Sequence, residues 1–82
     1  MLPNRNNQVR VRANFDGEVE VLVTLGERIY AGQALVVIEG EREIERLATR
    51  NAGSVAEIHV RDGDEVRQGT LLLVVQEMPT DN

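Results

Sequence analysis

The chain has 82 residues, no cysteine, and a formal net charge of −5 from nine basic and fourteen acidic side chains. This balance gives no basic stripe for nucleic-acid phosphates and no attraction to an anionic membrane, and the lack of cysteine excludes disulfides, thiol nucleophiles and thiolate metal sites. The apolar runs are too short to span a bilayer and residues 1–5 lack the apolar segment of a secretory signal, so we expect one small cytoplasmic domain.

The chain begins with a polar segment that precedes any regular pattern. Residues 1–8 are predicted to form a loose N-terminal arm, because residues 4–8 are all polar. The domain itself is predicted to cover residues 9–77, and residues 78–82 to form a C-terminal tail.

The first half of this domain has the pattern of short strands separated by turns. Val19, Val21 and Val23 recur with the period of two that is typical of a strand. Turns are predicted at Gly26 and Gly32, because glycine adopts positive φ without a Cβ clash.

Two aliphatic runs, residues 35–38 and 71–75, do not alternate. Such runs are typical of strands that are covered on both sides, and we predict that both are buried. Exposure of an apolar face on either run would instead indicate a dimer or docking surface.

The segment between the halves, residues 41–48, allows two interpretations. It is rich in helix formers, and Glu43 and Arg46 have the i,i+3 spacing of a helical ion pair, which favours a short helix. Gly40 and Gly53 enclose the segment and strands are predicted on both sides of it, which favours a hairpin.

The second half of the domain repeats the first. Matching residues lie 36 positions apart at first and 37 positions apart after a slip of one residue: Gly17 and Gly53, Val19 and Val55, Val23 and Val60, Gly26 and Gly63, Gly32 and Gly69, Leu35 and Leu72, and Val37 and Val74. Two copies are too few for a solenoid. We therefore predict an all-β flattened barrel or sandwich of two similar four-stranded sheets, related by a pseudo-twofold axis.

No residue pattern in the chain indicates catalysis or metal binding. His59 is the single histidine, and alternation with Ile58 and Val60 predicts that it points outward as an ordinary surface residue. The acidic segment 62–65 lacks the spacing of a calcium loop and is predicted to be a turn. We therefore expect no enzyme activity from the domain by itself and no metal.

The ordered set of motifs resembles the biotinyl/lipoyl-attachment domain family over about residues 9–77. The resemblance rests on Asp16-Gly17-Glu18-Val19, Gly32-Gln33-Ala34-Leu35, Ala52-Gly53-Ser54-Val55 and Gly69-Thr70-Leu71-Leu72, in this order and spacing. It implies the fold known as a barrel-sandwich hybrid, with a modified lysine at the tip of the central hairpin. The matching tip here is Glu39-Gly40-Glu41-Arg42-Glu43, so Arg42 occupies the acceptor position.

The arginine at this position predicts that the domain carries neither biotin nor lipoate. Attachment needs a neutral amine that attacks an acyl adenylate; lysine can supply one, whereas a guanidinium stays protonated and delocalised. All nine basic residues are arginines, so no other lysine can replace the acceptor. We expect no cofactor.

The charged tip is open to two interpretations. Glu41, Arg42, Glu43 and Arg46 form either a solvated hairpin end or a docking tip that offers arginine N–H groups to a partner's carboxylates. The sequence favours a non-catalytic protein-interaction module, and the resemblance implies partners such as subunits of a carboxylase, a dehydrogenase complex or a transport assembly. The alternatives are an adaptor-like piece of a membrane-fusion, efflux or secretion assembly, and a carrier domain whose acceptor lysine was lost by mutation.

Overall fold

The computed structural model describes residues 7–78, and this part of the chain consists of β-strands joined by turns. The predicted arm and tail lie mostly outside the described residues. The strands are β1 (Gln8–Arg12), β2 (Gly17–Val21), β3 (Arg28–Ile29), β4 (Val36–Glu39), β5 (Ile44–Leu47), β6 (Gly53–Ile58), β7 (Glu65–Val66) and β8 (Leu71–Glu77). Residues 7–78 contain no helix long and apolar enough to cross a membrane.

The strands form two antiparallel four-stranded sheets. Sheet A has the order β1-β8-β6-β3 and sheet B has the order β5-β4-β2-β7. The two orders are equivalent: β1, β8, β6 and β3 of sheet A correspond to β5, β4, β2 and β7 of sheet B, four strands apart in the chain. The predicted all-β fold of two similar sheets with an internal repeat is confirmed.

The two halves interlock through equivalent hydrogen bonds. The Gly26 N–H donates to the Val55 carbonyl at 2.8 Å, and its counterpart Gly63 N–H donates to the Val19 carbonyl at 2.7 Å. Both glycines have positive φ, 84° and 91°, a backbone conformation that residues with a Cβ rarely adopt. Each turn is therefore fixed to a strand of the other half, so neither half completes its hydrogen bonding alone.

The core lies between the sheets and takes aliphatic side chains from both. The predicted burial of the two aliphatic runs is confirmed, with Val37 and Leu71 half-buried and the rest of both runs buried. Leu35 and Leu72, which are equivalent in the repeat, are both 0% exposed. Full burial of such a side chain contributes about 1.5–3 kcal/mol, so this inner layer supplies most of the stabilisation.

The segment after Gly40 is a strand, and the helix interpretation of residues 41–48 is wrong. In β5, Ile44 pairs with Glu39 and Leu47 pairs with Val36, and the Leu47 side chain is buried in the core. A helix would forfeit this ladder and the burial of Leu47. Tertiary pairing therefore overrides local helix propensity, which is worth only tenths of a kcal/mol per residue.

Candidate functional site

The turn between β4 and β5 projects from one end of sheet B. Glu39 and Ile44 form the last paired positions of the ladder, and the Gly40 N–H donates to the Glu43 carbonyl at 2.8 Å. Glu41 and Arg42 are left at the apex, and neither has positive φ. The structure thus places Arg42 at the tip of a tight hairpin.

Close backbone packing supports the base of this hairpin. A Cβ built on Gly40 would lie 2.8 Å from the Asp16 carbonyl oxygen and 2.9 Å from Cδ1 of Phe15. A Cβ built on Gly17 would lie 2.5 Å from the Glu39 carbonyl oxygen. Only glycine fits at both positions without a shift, so the segment before β2 supports the hairpin through direct backbone contact.

A hydrogen bond connects the hairpin base to the far edge of sheet B. Asp16 Oδ1 accepts from the Gln68 N–H at 2.8 Å, in the turn that follows β7. Asp16 therefore joins the tip region to the β7 end of the same sheet.

The predicted tip residues are exposed, but they do not all lie in the turn. Glu41, Arg42 and Glu43 belong to the turn, whereas Arg46 lies in β5, opposite Val37. Within residues 7–78, no hydrogen bond or ion pair engages the Arg42 guanidinium.

An open groove runs beside the tip, and its lining is strongly acidic. Two arginines, Arg42 and Arg67, contribute positive charge to the lining, and Phe15 contributes an aromatic ring. Six carboxylate side chains line the same groove: Asp16, Glu18, Glu39, Glu41, Glu43 and Glu65. This end of the molecule suits a polar, charged partner better than an apolar small molecule.

The other residues singled out in the sequence have ordinary structural roles. His59 is exposed, and its Nε2 lies 2.7 Å from Glu57 Oε1. Asp62 Oδ1 accepts from the Val21 N–H, and Asp64 Oδ2 accepts from the Arg61 N–H, both at 2.9 Å. In the part of the chain that the structure describes, no group of three or more His, Cys, Asp or Glu residues is arranged to hold a metal ion.

One exposed residue near the tip was not singled out from the sequence. Ile44 begins β5 and is 68% exposed, opposite Glu39 on the outer face of sheet B, and Glu18 lies on the other side of Glu39. The sequence signal for this face is the alternation within β2, where Glu18 and Glu20 flank the buried Val19 and therefore point outward. The neighbours across β4 and β5 depend on register, which the sequence did not determine.

Comparisons with known proteins agree with this geometry. Residues 9–75 match the family model described as "Biotin-requiring enzyme". The chain is 37% identical over 57 residues to the dihydrolipoyllysine-residue acetyltransferase component of the pyruvate dehydrogenase complex of Haemophilus influenzae, and 36% identical over 58 residues to that of Cupriavidus necator. These matches cover 70% and 71% of the chain but only about a tenth of each relative, 10% in both cases.

Two solved structures contain the same fold. A single-chain, multi-domain long-chain acyl-CoA carboxylase superimposes with a TM-score of 0.80 at 26% identity, over 98% of this chain and 8% of that one. The urea carboxylase of Kluyveromyces lactis superimposes with a TM-score of 0.73 at 21% identity, over 92% of this chain and 6% of that one, a likeness of fold alone. In both, the matching region is a small part of a much longer chain.

Proposed function

This chain belongs to the biotin- and lipoyl-attachment family, and from that premise we propose that it is an unmodified member that acts as a protein-interaction module without catalysis of its own. The observation that carries the proposal is Arg42 at the hairpin apex, the position where the resemblance places the modified lysine. No lysine occurs anywhere in the 82 residues.

The residues at the apex do not fit a covalently attached biotin or lipoyl group. Attachment forms an amide with a primary amine, and the apex offers the carboxylate of Glu41 and the guanidinium of Arg42 instead. The guanidinium stays protonated and spreads its charge over three nitrogens, so it is a poor nucleophile towards an acyl adenylate. No step through either group is therefore assigned to this chain.

The proposed role of the tip is recognition. The Arg42 guanidinium is exposed on a supported hairpin and presents a planar fork of N–H donors that matches a carboxylate. Arg46 adds a second guanidinium from β5, and Glu41 and Glu43 flank the apex with acceptors. We propose that these four residues form a docking tip.

The proposed partner is a subunit or a domain of a dehydrogenase complex or a carboxylase. The curated relatives are named as components of the pyruvate dehydrogenase complex, and one structural neighbour is a multi-domain acyl-CoA carboxylase. The chain spans about a tenth of the length of those relatives, so their activities do not transfer with the fold. A tight turn joins β4 and β5, in the place where a membrane-fusion adaptor would carry a long helical hairpin, so a transport partner gains no support here.

A ligase assay tests the unmodified state. The wild-type chain and the Arg42→Lys variant are incubated with ATP and either biotin and a biotin ligase or lipoate and a lipoate ligase, and intact masses are measured. We expect the wild type to keep its mass and Arg42→Lys to gain one acyl group. Arg46→Lys, which places an exposed amine in β5 away from the apex, is the matched control and should stay unmodified.

A co-purification assay tests the interaction role. Tagged wild-type chain should recover dehydrogenase or carboxylase subunits from its host, and Arg42→Glu/Arg46→Glu should recover several-fold less. Arg50→Glu/Arg61→Glu changes charge equally at exposed positions away from the tip and should behave like the wild type. Acylation of the wild-type chain, or equal recovery with both double variants, would refute the proposal.

A further inference from the structure

A second groove lies on the outer face of sheet B, at Glu39 and Ile44, the last paired residues before the hairpin turn. Its apolar floor includes Val37 and Ile44, and its walls include the carboxylates of Glu18, Glu20 and Glu39. Ile44 is 68% exposed, and the half-buried Val37 lies near it on the same face of the sheet. The groove therefore combines an uncovered apolar centre with an acidic rim.

The strand register brings these residues together on one face. Glu39 lies opposite Ile44 in β5, and Glu20 of β2 lies opposite Val37 in β4. Val37 and Ile44 are thus diagonal neighbours on the outer face, and both line the groove. One aliphatic side chain from outside could cover both at once.

Carboxylates line the walls of the groove, and Arg46 lies opposite Val37 on the same face of the sheet. Across residues 7–78, no hydrogen bond or ion pair engages the side chains of Glu18, Glu20 or Glu39. Glu18 lies directly between Glu39 and Glu65 in the ladder, and like charges placed directly opposite are destabilising. A cationic ligand on this face would relieve that repulsion.

We propose that this groove binds a basic, extended segment of a partner protein. An aliphatic side chain of the segment covers Val37 and Ile44, and lysine or arginine side chains on either side of it reach Glu18, Glu20 and Glu39. This arrangement has the apolar centre and charged rim that are typical of protein interfaces. A second copy of this chain is a poor occupant, because two molecules of net charge −5 repel each other.

The inference deepens the proposed interaction role and rests on it, but it concerns a different surface from Arg42. The two can fail separately, because Arg42 lies outside the lining of the groove, and Arg42→Lys and the single variant Arg42→Glu therefore change the tip alone. Arg46→Glu is not used to separate them, because Arg46 lies opposite Val37 on the face of the groove. The test of the groove leaves the tip intact.

The experiment is a titration of the isotope-labelled chain, followed by NMR, with the synthetic peptide Arg-Ser-Leu-Ser-Arg, whose leucine and arginine side chains lie on the same side of an extended chain. We expect the largest amide shifts in β2, β4 and β5, and a binding constant that falls as salt is added. The peptide Arg-Ser-Gly-Ser-Arg, with the same charge and no aliphatic side chain, should bind about three- to tenfold more weakly, since burial of an aliphatic group is lost.

Paired variants separate the groove from the net charge of the domain. Ile44→Ala and Glu20→Gln/Glu39→Gln should each weaken binding by about two- to tenfold, the range expected for exposed contacts. Leu25→Ala, at a residue that is also 68% exposed, and Glu57→Gln/Glu77→Gln are the matched controls and should change binding by less than about twofold.

Three results would overturn the proposal. The first is shifts spread over all acidic surfaces with equal losses in test and control variants, which would mean attraction to net charge alone. The second is equal affinity for the two basic peptides, which would remove the role of Val37 and Ile44. The third is self-association that Ile44→Ala abolishes, which would assign the groove to a second copy.

Discussion

The outer faces of the two sheets share one backbone geometry and differ sharply in charge. One row across sheet A carries a single charge, the positive charge of Arg28, and the equivalent row across sheet B carries three negative charges. In ladder order, the row of sheet A is Gln8, Gln76, Ser54 and Arg28, and the row of sheet B is Ile44, Glu39, Glu18 and Glu65. The repeat relates the two rows strand by strand.

The inner faces of the same strands have not diverged in this way. Val19 and Val55 occupy equivalent inward positions and are 2% and 1% exposed, and Ile38 and Val75 are both 0% exposed. The fold therefore constrains the inward positions, because a polar group there would lose its hydrogen bonds to water. The outward carboxylates of sheet B are not required by the fold, since sheet A forms the same ladder without them.

The largest effect on stability is expected from truncating equivalent side chains in the core between the two sheets. Leu35→Ala and Leu72→Ala remove equivalent side chains that are both 0% exposed. Each should lower the free energy of unfolding by about 2–5 kcal/mol, the range for aliphatic truncation in a packed core. Urea denaturation measures both; a loss that is large in one half and under about 1 kcal/mol in the other would show that the halves are not equivalent inside.

A smaller effect is expected where strands approach each other most closely. Gly17→Ala and Gly53→Ala each place a Cβ against a backbone carbonyl oxygen, that of Glu39 in sheet B and that of Gln76 in sheet A. We expect each substitution to cost about 1–3 kcal/mol, the range for overpacking, because a backbone atom cannot move aside like a flexible side chain. Thermal unfolding of the two variants should shift by similar amounts, and a neutral result at Gly17 would contradict the close support of the hairpin.

The interior and its turns were also what the sequence could predict. Glycines such as Gly26 and Gly63 mark turns that need positive φ, and the matched valines mark the core, so the repeat was sufficient to predict two similar sheets. The hairpin that carries Arg42 was implied by the family resemblance, whereas the residues of segment 41–48 by themselves left a helix and a hairpin open. The glycine turns and the buried valines can be predicted within each half of the sequence separately, because they depend on local residue patterns.

The outer face of sheet B could not be predicted in the same way. Residues 41–48 have the local composition of a helix, and only pairing with β4 makes residues 44–47 a strand. The neighbours of Glu18, which are Glu39 and Glu65, lie 21 and 47 positions away in the chain, counted from the printed numbering. Their adjacency follows from register across three strands, a long-range property that periodicity within one strand does not contain.

The smallest expected effect tests the outer rows directly. Glu18→Gln removes the central charge of the acidic row, and we expect a gain in unfolding free energy of about 0.2–1 kcal/mol at low salt, because repulsion from Glu39 and Glu65 is relieved. At the equivalent position of sheet A, Ser54→Glu places a carboxylate beside Arg28 and should change stability by less than about 0.5 kcal/mol. Urea midpoints at low and high salt measure both, and screening should abolish the gain from Glu18→Gln. If the gain in unfolding free energy persists at high salt, its cause is not charge. Repulsion within the acidic row would then not destabilise the domain, and a basic partner would have no repulsion to relieve.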